Sequence, residues 1–190
     1  MKKIMTLIII LFAMGSQLGC QSNGPTYRSE RSDILEAIGS KNFSQKPPTD
    51  FTVTATIELS KEENADMIVY EVTVDQPKKT MNNVILSFSL DPKMLPKLNT
   101  SHVFQSTILN EEPVLLAPNS ELEGSVFTRS FALDPKLIDQ HMINIYKTVY
   151  IKVSYTENGE RISEFIKLDA VPTIEIENYL ILSLNERATS

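Results

Sequence analysis

The chain has 190 residues, with 24 acidic against 18 basic side chains, a net charge of −6, and no tryptophan. The acid excess disfavours nucleic acid and polybasic attachment to anionic lipid, and the length gives one domain with a real core rather than two full lobes. Cys20 is the only cysteine, so no internal disulfide can form and packing must hold the fold.

Lys2 and Lys3 precede an apolar run from Ile4 to Met14, and small and polar residues then lead to Leu18-Gly19-Cys20. A helix needs about 20 apolar residues to cross the hydrocarbon core. The run is little more than half that, so residues 1–19 are predicted to be a signal peptide rather than a membrane span. In this stretch, Met1 to about Asn23, the chain resembles a bacterial lipoprotein precursor. The resemblance implies that Cys20 is joined by a thioether to diacylglycerol and becomes the first residue after cleavage. Two acyl chains hold stably where one binds only marginally, at about 0.8 kcal/mol per buried CH₂. The protein is then expected to be exported and anchored at the cell membrane or outer membrane. In a Gram-negative envelope Gln21, not being aspartate, implies the outer membrane. The pattern departs from the family at Gln17, where lipoboxes usually carry an aliphatic residue. The alternative is ordinary cleavage near Ala13-Met14-Gly15, giving a soluble secreted protein.

Residues 20–50 read as the lipidated N terminus and a flexible tether, polar and ending in the extended Lys46-Pro47-Pro48. One short helix is expected within it, with Asp33 as cap, Glu36 reaching back, and Gly39 as stop after Ile34, Leu35 and Ile38.

Residues 51–185 are expected to form the domain. Phe51, Val53, Ala55, Ile57 and Leu59 alternate with polar residues, as do Ile68, Tyr70, Val72 and Val74, and then Val84, Leu86, Phe88 and Leu90. A period of two places each apolar set on one face of a half-buried strand. Val103 to Leu109, Val114 to Ala117 and Gly124 to Leu133 are further candidates, the last with Arg129 in phase with Phe127 and Phe131. Val149 to Tyr155 and Ile162 to Leu168 flank Asn158-Gly159, the preferred pair for a type I′ hairpin turn, which needs positive φ at both positions. Thr173 to Leu184 also alternates, and the period favours a last strand over a helix. Residues 186–190 remain as a C-terminal tail. Strands in series with little helix predict an all-β, antiparallel β-sandwich, immunoglobulin-like in architecture though without that family's cysteine pair or tryptophan. A small barrel is the alternative.

Ser87-Phe88-Ser89-Leu90-Asp91-Pro92-Lys93 recurs as Ser130-Phe131-Ala132-Leu133-Asp134-Pro135-Lys136. In each copy a strand runs into an aspartate that can cap and a proline with φ already set for a helical turn. A repeated way of leaving the sheet explains Asp91 and Asp134 better than a carboxylate pair for a ligand.

Candidate chemistry is sparse. His102 and His141 are the only histidines, in no zinc spacing, and His141-Met142 as a copper pair competes with ordinary core filling by Met142. Glu111-Glu112 and Glu121-Glu123 lack the Asp-x-Asp-x-Asp-Gly pattern of a calcium loop. No catalytic residue, metal ligand or cofactor is assigned; Cys20 is the one assigned site. The expectation is a non-enzymatic, lipid-anchored module that binds or positions another envelope protein. The alternatives are a small cell-envelope hydrolase and a small-ligand-binding lipoprotein.

Overall fold

The computed structural model describes residues 24–44, 46–110, 112–120 and 124–188. Cys20, Glu111, Glu121 and Glu123 therefore lie outside the described residues. The chain runs as helix α1 (Tyr27–Ser40), strands β1 (Thr52–Lys61), β2 (Asp66–Asp75) and β3 (Met81–Leu90), then the short β4 (Phe104–Ser106) and β5 (Val114–Leu116). Strand β6 (Gly124–Ala132), helix α2 (Gln140–Ile145), strands β7 (Thr148–Glu157), β8 (Glu160–Asp169) and β9 (Val171–Pro172), and helix α3 (Ile174–Ala188) complete it. Among the described residues no helix is long and apolar enough to cross a membrane.

The strands form two facing sheets, neither closed into a barrel, so the molecule is sandwich-like. One sheet has the order β6-β2-β1-β9, and the other β4-β3-β7-β8 with β5 also on β3. Pairing is antiparallel except where β9 joins β1 in parallel at Thr56 and Ile57. The period-two apolar sets become the core: Ile68, Tyr70, Val72 and Val74 face Leu86, Phe88, Ile151 and Val153, all buried. Each such side chain contributes roughly 1.5–3 kcal/mol by leaving water. Phe88 meets Phe127 across the layers edge-on, with ring centroids 5.7 Å apart. The phenol of Tyr70, deep in this core, donates to the Tyr146 carbonyl at 2.8 Å.

Local signals account for the joins. Asn158 and Gly159 take φ of 50° and 86°, as the β7–β8 turn requires. After β3 and β6, Asp91 accepts from Lys93 N and Asp134 from Lys136 N, each at 2.9 Å, and each opens a 3₁₀ turn on the following proline. The repeated segment is thus one exit device used once in each sheet. Each exit puts one apolar residue into the core, Met94 within the first turn and Ile138 just past the second.

Four sequence expectations change. Helix α1 is longer than expected and begins earlier: Thr26, not Asp33, is its cap, with Ser29 completing the capping box, and Asp33 lies inside it. It buries Glu30, Ile34 and Ala37 against the second sheet, so residues 27–40 are a docked element rather than a flexible tether. The strand expected over Val103 to Leu109 stops at Ser106, whose hydroxyl accepts from Ile108 N at 3.2 Å and turns the chain into a 3₁₀ helix.

Finally, Thr173 to Leu184 is helical, not a strand. Ile176, Leu180 and Ser183 are buried at helical spacing, while Ile174 and Leu182, which the alternation put on the same face, are 72% and 61% exposed. Residues four apart satisfy both periods, so the pattern alone did not separate them. The helix gains from Glu175 and Glu177 in its first turn and Arg187 in its last, each placed to complement the macrodipole.

Candidate functional site

A buried charge cluster and two clefts border α1. Strand β7 alternates, so Val149, Ile151, Val153 and Tyr155 enter the core while Lys152 and Ser154 point to the outer face that α1 covers. There the Lys152 ammonium lies 3.0 Å from Glu30 Oε1 and 2.6 Å from Asp33 Oδ2. Glu30 Oε2 accepts from Ser87 Oγ at 3.1 Å, and Ser87 Oγ is 2.7 Å from Ser106 Oγ. Lys152 and Glu30 are only 3% and 1% exposed. Chemically this is a clamp: the amine sits between two carboxylates, and the Ser87 hydroxyl is committed beneath the helix.

Each end of α1 borders a cleft. The cleft at its N-terminal end, about 320 Å³, is walled by Pro25, the β3 bulge at Asn83 and Val84, the Thr107–Leu109 turn and Arg161. Asn83 takes a left-handed φ of 50° at that bulge. Arg161 crosses from β8 to donate to the Asn83 carbonyl at 2.7 Å and to Ser154 Oγ at 2.8 Å, so much of its fork is already engaged. Burial holds its pKa below the ordinary arginine value, with Glu30 acting in the opposite direction.

The cleft at the C-terminal end, about 380 Å³, is lined by Ile38, Lys41, Phe43, Ser44, Tyr150 and Lys167. Phe43 packs on Tyr150 with centroids 5.0 Å apart, and Lys167 Nζ stands 5.6 Å from the same ring. The carboxylates nearest the Tyr150 phenol in charge terms, Asp91 and Asp169, are not part of the lining.

A third cluster lies near the β7–β8 turn. Lys79 joins Asp50 at 2.7 Å and Glu157 at 2.8 Å, holding the Asp50 carboxyl below its usual range while its own pKa is pushed up. Burial pushes Glu164 up, with Asp50 adding to it.

The structure does not gather the sequence-predicted candidates. His102 Nδ1 is 2.8 Å from the Phe104 carbonyl, whereas His141 is exposed on α2. Met142, its neighbour, is buried in the core, so the two do not share a face as copper ligands would. Neither histidine lines either cleft beside α1. Asp91 and Asp134 serve as turn caps, and Glu112 lines the first cleft without its acidic neighbours among the described residues. Among the described residues no group of three His, Cys, Asp or Glu is placed to hold a metal ion. Sequence reasoning missed Glu30 and Lys152. No local signal marked them, because Lys152 stands in the polar-out phase of β7, where a half-buried strand ordinarily carries a solvated charge.

No protein-family model matches the chain, and no curated protein matches it. Among solved structures the chain is similar to the "X-ray structure of Northeast Structural Genomics Consortium target SoR45", with 14% identity, 67% of this chain and 90% of that chain covered, and a TM-score of 0.37.

Proposed function

We propose that this chain is an exported lipoprotein, anchored through Cys20, whose immunoglobulin-like β-sandwich binds or positions another envelope component without catalysing a reaction. The observation that carries the reading is Leu18-Gly19-Cys20 closing a short basic-then-apolar leader in a chain with no other cysteine. The clamped helix gives the anchor a consequence. From Cys20 to Pro25 a fully extended chain reaches about 18 Å, so a lipidated protein would hold the sandwich close to the bilayer, with no long spacer.

The edges and clefts say where binding is best sought. Edge strand β6 carries Arg129 in phase with core residues Phe127 and Phe131, and edge strand β8 carries Glu164 in phase with Ile162 and Ile166. An inward-phase charge on an edge strand discourages another strand from adding there. The surfaces beside α1 are therefore favoured over β-augmentation. The hydrolase alternative loses support because His102 and His141 stand apart from both clefts.

The test is labelling of cells with a palmitate analogue followed by crosslinking, affinity capture and mass spectrometry, with Cys20→Ala as control. The expected result is label on the wild type only, and an envelope partner whose recovery falls with Cys20→Ala. An unlabelled wild type released into the medium would overturn the anchored reading.

A further inference from the structure

The two lysines beside the C-terminal end of α1 share one cleft. Lys152 is locked between Glu30 and Asp33, and Arg161 is bonded to Asn83 and Ser154. Lys41 and Lys167 form no ion pair among the described residues, and both line the same cleft. The same cleft holds Tyr150, whose ring carries Lys167 Nζ over it at 5.6 Å and whose hydroxyl makes no hydrogen bond to a described residue; burial, then Asp91 and Asp169, push its pKa up and keep it a proton donor. Ile38 and Phe43 supply an apolar wall.

Lys41 occupies its place against backbone preference. It is the C-cap of α1 at φ 56° and ψ 33°, a left-handed conformation that helix ends normally give to glycine. A lysine kept in the lining of a cleft at that cost is a reason to look for what it binds.

We propose that this cleft binds a phosphate ester of a small polyol or sugar, with the phosphate held by Lys41, Lys167 and the Tyr150 hydroxyl. Compact, strongly hydrated ammonium groups bind a tetrahedral, multiply charged oxyanion as point charges. The volume of about 380 Å³ accommodates a phosphate and a short polyol chain along Ile38 and Phe43. This reading goes beyond anchorage and does not depend on lipidation of Cys20.

The experiment titrates the full chain, in a neutral detergent, with sn-glycerol 3-phosphate and with glycerol by calorimetry, beside flotation with vesicles of phosphatidylcholine with and without phosphatidylglycerol. The variants are Lys167→Gln, Lys41→Gly and Tyr150→Phe. Lys41→Gly relieves the left-handed strain and Tyr150→Phe keeps the ring on Phe43, so both are expected to remain folded. The expected result is saturable binding of the phosphate ester, none of glycerol, and a loss of about tenfold with either lysine variant. If only the phosphatidylglycerol vesicles bind, and the lysine variants abolish it, the same site takes a lipid headgroup as its source of phosphate. No binding in either arm, or binding that all three variants retain at wild-type strength, overturns the proposal.

Discussion

Lys152 on β7 and Glu30 on α1 form a buried ion pair at 3.0 Å between elements more than 100 residues apart in sequence. Both charges have left water, so the pair is worth little relative to well-packed apolar residues but is expensive to break from one side. Glu30→Gln or Lys152→Met alone is expected to cost about 3–5 kcal/mol in urea unfolding. The double change Glu30→Gln/Lys152→Met should cost clearly less than the sum of the two. Asp33 keeps part of the lysine's charge compensated in Glu30→Gln, so that variant should be the milder one. Strictly additive losses would show that the pair does not hold α1 to the sheet.

Arg129 and Glu164 mark the two long edges, and each stands where an apolar side chain would complete a core row. Arg129→Val and Glu164→Val are expected to leave the fold as stable or up to about 1 kcal/mol more so, while sedimentation detects association beyond that of the wild type, rising with concentration. Variants that associate no more than the wild type would show that the charges do not guard the edges.

Acid unfolding should report Asp139. Its carboxyl caps α2 through Met142 N at 2.9 Å and meets Lys97 Nζ at 2.5 Å, and the lysine bond first, then the backbone bond, holds its pKa below the ordinary 3.8. A depressed carboxyl adds stability that is present above the unfolded value near 3.8 and is lost as pH falls through the folded value. Asp139→Asn keeps a good cap but removes the ion pair. It should lower stability at neutral pH by no more than about 1 kcal/mol, because the pair is partly exposed, and flatten that part of the acid limb below pH 4. Glu164 runs the other way. Its raised pKa means a contribution present below the ordinary 4.5 and lost as pH rises through the folded value. Glu164→Gln should therefore stabilise at neutral pH and remove that loss.

The strands were legible because period two decides which residues a half-buried sheet can bury, and the Asn158-Gly159 turn because few residues accept positive φ. The Asp-Pro exits were legible for the same local reason. What covers the outer face of the second sheet was not. Glu30 and Lys152 are separated by over a hundred residues, and each reads alone as an ordinary surface charge. Nor was the C-terminal cleft visible, because it joins Lys41 and Phe43, just past α1, to Tyr150 and Lys167 on two other strands. Such a site exists only once α1 has docked. The anchor signal at Cys20 is the opposite case: it is wholly local, and the described residues do not include it.

Helix α3 offers the sharpest contrast between the two periods. A strand over Thr173 to Leu184 would put Ile174, Ile176, Leu180 and Leu182 on one buried face, so that trimming any of them would cost a core side chain. In the helix Ile176 and Leu180 are buried against the sandwich, while Ile174 and Leu182 face solvent. The Thr173 amide donates to Ile57 O at 2.8 Å, tying the start of the helix to the middle of β1, and Glu177 pairs with Lys147 at 2.7 Å beside α2. Ile176→Ala and Leu180→Ala are therefore expected to destabilise by about 2–5 kcal/mol, and Ile174→Ser and Leu182→Ser by no more than about 0.5 kcal/mol. Thermal unfolding of the four single variants separates the cases, since equal losses at all four positions are what a buried strand requires and a one-sided helix forbids.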